Sequence, residues 1–301
     1  MNDLRDGVSA SPKALSVAQL LDELSAKLGA GGASESRSVA VDVIAALVGE
    51  SRSWVALNRS TAVKPTVQDA ARAAAKRIVR GEPFAYAVGR AQFRYLDLEI
   101  DHRVLIPRPE TEMLVEEILS RFRSLGGAAT WGLAVDLGTG SGAIALSLAI
   151  EGRFERVIAT DSSLDALEVA KKNAELASAS LKCPVEFRSG SLLSPLRGLK
   201  ARLLVSNPPY VAFDEAGKLP ESVRSWEPPT ALYSGSNGLD ATAAIVQEGE
   251  SLLESGGMLA LEVDARRASL AAELVSAGSY IDVSVVLDLT GRERFVFASR
   301  A

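Results

Sequence analysis

The sequence predicts a two-part α/β protein. A small all-helical N-terminal domain spans residues 1–80, a β-hairpin connector spans 81–106, and an open, mainly parallel sheet covered by helices spans 107–301. Three observations predict it. The first 80 residues carry helical apolar spacing without strand-like alternation. From residue 133 onward, short apolar runs alternate with helical stretches, the order that builds a parallel sheet covered on both faces. The first of those runs ends in a glycine-rich turn that leads straight into an apolar helix.

Each element has its own local signal. Residues 14–28 place Leu15, Leu20, Leu21, Leu24 and Leu28 on one helical face. Residues 38–48 repeat the pattern with Val39, Val43, Ile44 and Leu47, and Gly49 marks a stop. Residues 68–80 align Ala71, Ala74, Ala75 and Ile78, and stop at Gly81. In 81–106 the positions Phe84, Tyr86, Val88, Phe93, Tyr95, Leu98, Ile100, Val104 and Ile106 alternate around Gly89, which reads as a hairpin. Pro109 suits a first helical turn, and Glu110 and Glu112 favour the positive end of that helix. Strands are expected at 133–137, 156–160, 185–188, 203–206 and 258–263, with helices at 143–150, 164–177, 241–253 and 270–277. Runs at 283–289 and 294–298 around Gly291 read as a closing antiparallel hairpin.

Composition excludes several function classes. Thirty-three basic against 38 acidic residues leave a formal charge of −5, which argues against a nucleic-acid footprint over the whole surface. Residues 1–80 hold 11 basic and 8 acidic residues, net +3, so the remainder carries −8. That asymmetry is read as a solvated helical face, with a mildly basic partner- or RNA-facing surface as the alternative. Cys183 is the only cysteine, so neither an internal disulfide nor a multi-thiolate zinc site can form, and a buried structural thiol is expected. With His102 as the only histidine, no His-based metal centre is available, and no metal is expected. Residues 1–10 lack an apolar signal core, and the richest apolar stretch, 143–150, falls far short of the roughly 18 residues a membrane helix needs. A cytoplasmic protein without membrane association is expected.

The turn reads Asp136-Leu137-Gly138-Thr139-Gly140-Ser141-Gly142-Ala143. Glycines there permit a tight turn and close approach of backbone to a ligand. Asp161 ends the next strand, where a carboxylate accepts hydrogen bonds from ribose hydroxyls. These residues alone leave a nicotinamide dinucleotide and an S-adenosyl ligand open, and Asp161 also sits where a helix cap would. Asp136, placed to order the loop or meet a cationic amino-acid moiety, and the third glycine, Gly142, tilt the choice towards the S-adenosyl ligand. The G-x-G-x-G spacing resembles that of class I S-adenosylmethionine methyltransferases.

The run 203–206 is followed directly by Asn207-Pro208-Pro209-Tyr210. At the carboxyl end of an open-sheet strand such a loop lies where ligands bind. The Asn207 side-chain oxygen and the Pro208 carbonyl can each accept one N–H of an –NH₂ group, orienting a planar nitrogen and offsetting the charge it gains. The Tyr210 ring can stack on the planar group, and the prolines, Pro209 included, stiffen the loop.

Together with the glycine loop and Asp161, this constellation is similar to amino-methyltransferases of planar amides or adenine N6. Further segments point to one branch: Gly81-Glu82-Pro83 with Tyr86 and Gly89; Leu105-Ile106-Pro107-Arg108-Pro109-Glu110-Thr111-Glu112; Trp226-Glu227-Pro228; Ala231-Leu232; Gly238-Leu239; and Gly256-Gly257. With these the chain resembles the HemK/PrmC family of release factor glutamine N5-methyltransferases over residues 81–301, while 1–80 match only in being helical. The resemblance implies a Rossmann-like class I methyltransferase sheet that binds S-adenosyl-L-methionine and releases S-adenosyl-L-homocysteine. It implies methylation of the glutamine in the GGQ motif of class 1 peptide-chain release factors, with the helical domain helping to hold the release factor. It places Asn207, Pro208, Pro209 and Tyr210 in catalysis. It assigns Asp136, Gly138, Thr139, Gly140, Ser141, Gly142, Asp161, Ser191 and Asn207 to cofactor binding. Two stretches depart from the family pattern: Ser189-Gly190-Ser191-Leu192 lacks its acidic-aromatic pair near the adenine, and Glu262-Val263-Asp264 lacks a glycine soon after the glutamate.

Other residues have plainer readings. His102 is expected on the surface, Glu110 and Glu112 as helix N-terminal charge with general acid or base groups as the alternative, Arg108 as either a substrate or a cofactor-carboxylate contact, and Phe93 as either hairpin core or a ring against the sulfonium. Rival functions are an adenine-N6 DNA or RNA methyltransferase, a non-catalytic cofactor-binding module of the translation machinery, and, more distantly, a dehydrogenase. The acidic catalytic region, without basic target-recognition insertions, opposes the first, and no stable nucleic-acid binding is expected.

Overall fold

In a computed structural model that describes residues 14–126 and 130–301, the chain divides into two units, Met1–Gly89 and Arg90–Ala301. The start expected to lack an apolar signal core, residues 1–10, lies outside the described residues.

In the first unit the described residues form α1 (Val17–Ala30), α2 (Ser36–Val48), α3 (Arg52–Leu57), α4 (Pro65–Val79) and α5 (Phe84–Val88). α1 starts later than its apolar spacing predicts because Ser16 caps it. The Ser16 Oγ accepts from Gln19 N at 3.3 Å while Ser16 N donates to Gln19 Oε1 at 2.9 Å. Leu20, Leu24 and Leu28 are fully buried against Ile44, Ala71 and Ala75, each leucine contributing roughly 2 kcal/mol of apolar transfer. α3, six residues capped by Ser51, was not anticipated, since it is too short to display a period.

The stretch 84–88 corrects the sequence reading. Phe84, Tyr86 and Val88 alternate, yet 84–88 is helical, entered through Pro83 and closed by Gly89 at φ 75°. Ala87 and Val88 pack into the helical core. The hairpin is accordingly shorter than 81–106, comprising β1 (Arg90–Phe93) and β2 (Leu96–Glu99) in antiparallel register.

In the second unit, α6 (Pro109–Ser124) precedes β3 (Leu133–Leu137), α7 (Ala143–Glu151), β4 (Arg156–Asp161), α8 (Leu164–Leu176), β5 (Val185–Ser189) and β6 (Ala201–Ser206). Then follow the short helices α9 (Glu221–Trp226) and α10 (Pro229–Leu232), and α11 (Asp240–Leu252), β7 (Leu253–Glu262), α12 (Ala268–Ala277), β8 (Tyr280–Leu287) and β9 (Glu293–Arg300). The sheet runs β5-β4-β3-β6-β7-β9-β8. Its first five strands are parallel, and β9 is antiparallel to both neighbours. All of β3 is buried, as a central strand covered on both faces must be. The arrangement has one topological switch point, between β3 and β6, where successive connections leave in opposite directions and open a crevice beyond the strands' carboxyl ends. Ser206 Oγ donates to the Leu137 carbonyl at 2.8 Å, tying those two strand ends together.

Candidate active site

The glycine loop lies at this switch point. Gly138, Gly140 and Gly142 have φ of 70°, 54° and 85°, left-handed values that only glycine adopts without strain. Gly138 N and Thr139 N both donate to the Thr160 carbonyl at 2.9 Å, folding the loop over the end of β4. A Cβ on Gly138 or Gly140 would meet no atom within 4 Å, and both residues line the cleft that opens at this switch point. A Cβ on Gly142 would come within 3.4 Å of Ala170 on α8, so the third glycine serves helix packing as well.

Asp136 and Asp161 hold this loop from two sides. Asp136 is fully buried; its Oδ2 accepts from Thr139 Oγ1 at 2.7 Å and Ala145 N at 3.1 Å. Its Oδ1 has no hydrogen-bond partner, and burial pushes its pKa up to about 7. Asp136 therefore orders the loop from beneath and does not line the cleft. Asp161 does line it; Oδ2 accepts from Gly140 N at 3.0 Å and Oδ1 from Ser163 N at 2.9 Å. Helix capping falls to Ser163, whose Oγ accepts from Ala166 N, so Asp161 faces the cleft rather than capping α8. Gly190, Ser191 and Leu192 line the same cleft despite their departure from the family pattern.

On the other side of the switch point, Asn207, Pro208 and Pro209 line the cleft, with Pro228, Thr230 and Ala231 also on its wall. Backbone hydrogen bonds clamp the chain just beyond Tyr210: Val211 N donates to Leu232 O and Ser234 N to Val211 O, both at 2.9 Å. A Cβ at Gly238, where φ is 75°, would stand 2.4 Å from the Tyr210 carbonyl oxygen, so this close approach requires glycine. The Tyr210 hydroxyl is pushed up to about 12 by burial and by Glu262, so it stays protonated at neutral pH.

Beneath Asn207 runs a chain of polar contacts. Asn207 Nδ2 donates to Thr111 Oγ1 at 3.2 Å, and Thr111 Oγ1 donates to Glu262 Oε2 at 2.7 Å. Glu262 ends β7, is 1% exposed, and has its carboxyl pushed up to about 7 by burial. The sequence does not reveal the contact between Thr111 and Glu262, because the two are brought together only by folding. Asn173 was also missed. Its Nδ2 donates to the carbonyls of Ser141 and Glu99, and its Oδ1 accepts from Glu99 N at 2.8 Å, fastening the glycine loop to α8 and β2. An asparagine on the inward face of an amphipathic helix was the one available signal.

The remaining singled-out residues sort clearly. Arg108 Nη2 meets Glu227 Oε1 at 2.5 Å, and Arg103, not Arg108, lines the cleft. Phe93 is fully buried and off the cleft, His102 is exposed, and Cys183 is half-buried with its thiol pKa raised by burial. Among the described residues there is no group of three or more His, Cys, Asp or Glu placed to hold a metal ion, and no helix long and apolar enough to cross a membrane.

The strand order, the inserted antiparallel strand and the glycine loop at the switch point define a class I methyltransferase fold. The fold is similar to that of a methyltransferase from Pyrococcus furiosus, with a TM-score of 0.51 at 18% identity over 75% of this chain and 97% of that one. Residues 110–219 match the Methyltransferase small domain and residues 19–89 the PrmC N-terminal domain. The chain is 37% identical to the release factor glutamine methyltransferase of Moorella thermoacetica, over 95% of this chain and 99% of that protein. It is 36% identical to that of Deinococcus radiodurans, over 94% and 98%. The chain belongs to the release factor glutamine methyltransferase family.

Proposed function

We propose that this protein methylates the side-chain amide nitrogen, N5, of the GGQ-motif glutamine in class 1 peptide-chain release factors, in the cytoplasm, with S-adenosyl-L-methionine as methyl donor and without a metal. One observation carries the reading: Asn207 and Pro208 line the same switch-point cleft as Gly138, Gly140 and Asp161. The residues suit the donor. Glycines whose Cβ would project into open cleft leave room for it, Asp161 offers lone pairs to ribose hydroxyls, and Gly190, Ser191 and Leu192 offer a wall for the adenine. Thr139 and Ser141, both buried within the turn, and Asp136 and Gly142 beneath it act by holding the loop's shape.

Bound there, S-adenosyl-L-methionine supplies a sulfonium-activated methyl group, and S-adenosyl-L-homocysteine is the product. An amide nitrogen is a poor nucleophile because its lone pair is delocalised, so orientation and charge stabilisation must lower the barrier. The Asn207 Oδ1 and the Pro208 carbonyl each accept one N–H of the glutamine amide, holding both protons while the nitrogen gains positive charge. One of those protons passes to solvent after transfer. Tyr210 stacks its ring on the amide plane; its hydroxyl, kept protonated, takes no part as a base. Pro209 rigidifies the presentation at little entropic cost. The helical unit contributes by holding the release factor outside the reacting centre.

The test is incubation of the protein with methyl-labelled donor and either a release factor or duplex and single-stranded oligonucleotides. Label is expected on the release factor glutamine alone, located by mass spectrometry. Label on adenine instead would overturn the substrate assignment. Asn207→Ala is expected to lower kcat by about 100-fold or more while S-adenosylhomocysteine binding, measured by calorimetry, stays within about threefold. Turnover at the parental rate would remove Asn207 from catalysis.

A further inference from the structure

We infer that Thr111 and Glu262 are positioning residues that decide which end of the Asn207 amide faces the cleft. This rests on the role proposed above for Asn207. Thr111, third residue of α6 and 5% exposed, has one hydroxyl proton, and its Oγ1 stands 2.7 Å from Glu262 Oε2. Above about pH 7, where Glu262 is ionised, its carboxylate oxygen accepts and does not donate, so that proton is committed to Glu262. The Thr111 oxygen can then only accept from Asn207, and the 3.2 Å contact must carry an Asn207 N–H. The NH₂ end of the side chain is thereby held inward and Oδ1 is left facing the cleft.

The polarity matters because an asparagine amide is nearly symmetric in shape. Turned over, Asn207 would present N–H groups to the N–H groups of an incoming amide, replacing an attraction with a donor–donor clash. Among the described residues Asn207 makes no other side-chain hydrogen bond. Three residues from α6, the end of β6 and the end of β7 thus form a directional series in which Glu262 sets Thr111 and Thr111 sets Asn207. A rigid series of this kind fits a site in which the orienting groups must not rearrange during reaction.

The experiment compares steady-state kinetics on a release factor, S-adenosylhomocysteine binding and thermal melting for the parent, Thr111→Val, Thr111→Ser, Glu262→Leu and the double variant Thr111→Val/Glu262→Leu. Thr111→Val is expected to lower kcat about 30-fold, with KM and S-adenosylhomocysteine affinity within about threefold. Thr111→Ser is expected to return kcat to within about threefold of the parent. Glu262→Leu is expected to cost about tenfold, and the double variant no more than Thr111→Val alone, because the residues act in series. Parental kcat in Thr111→Val, an equal loss in Thr111→Ser, or additive losses in the double variant would overturn the inference. Thr111→Ala takes the place of Thr111→Val if the latter does not fold.

A second arm is independent of turnover. NMR of the Asn207 side-chain amide is expected to show one exchange-protected N–H in the parent and none in Thr111→Val. An unprotected amide in the parent overturns the relay whatever the substrate is. A protected amide in a protein that leaves release factors unmodified overturns the substrate reading and leaves the relay standing.

Discussion

Asp136 is a fully buried carboxylate with one oxygen hydrogen-bonded twice and the other not at all. Burial raises its pKa from the usual 3.8 to about 7, so in the folded state the neutral form persists to a pH where the unfolded chain is already ionised. Between about pH 4 and pH 7 the folded protein therefore binds more protons than the unfolded one, and stability falls as pH rises through that window, levelling off above it. Glu262, also pushed up to about 7, adds a contribution of the same sign. Asp136→Asn removes one of the two. Denaturant unfolding at pH 5 and pH 8 is expected to show the variant gaining on the parent by on the order of 2 kcal/mol between those values. An identical gap at both would show that Asp136 is ionised throughout. The motif made Asp136 conspicuous in the sequence, but whether it faces ligand or core depends on the strands stacked around β3.

At the scale of elements, two turns divide the labour of the cleft. The loop between β3 and α7 shapes the cofactor end, and the segment between β6 and α11 shapes the acceptor end. Gly140→Ala places a Cβ in open cleft at φ 54°, costing about 1 kcal/mol of backbone strain. It is expected to fold, with S-adenosylhomocysteine affinity lowered at least tenfold by calorimetry. Gly238→Ala drives a Cβ into the Tyr210 carbonyl and is expected to show the converse: cofactor affinity near parental and kcat reduced at least tenfold. If both variants lost the same property, the division between the two turns would be wrong. The strands around these turns were legible because each is a short apolar run bounded by turn residues. The 84–88 helix was not, because five residues between Pro83 and Gly89 satisfy a strand alternation as well as a helical turn. The short helices α9 and α10 escaped notice for the same reason of length.

For the whole molecule, each unit has its own core, residues 17–88 in one and 133–298 in the other. Every residue lining the cleft lies between Arg103 and Ile245, within the second unit. A chain starting at Arg90 is thus expected to bind S-adenosylhomocysteine within about threefold of the full protein, while its KM for a release factor rises. An unchanged KM would remove the helical unit from substrate binding. This expectation follows from the separation of the cores.

Local chemistry determined the helical faces, the order of strands and helices, the glycine turn and the Asn207 loop, because each depends on residues within about ten positions of one another. Folding alone decided the rest. Asp161 is turned to the cleft while Ser163 takes the cap, Asn173 reaches the glycine loop and β2, and Glu262 meets Thr111 across 151 positions of chain. Hydrogen-bond partners of buried polar groups are chosen by which elements pack together, and periodicity carries no record of that choice.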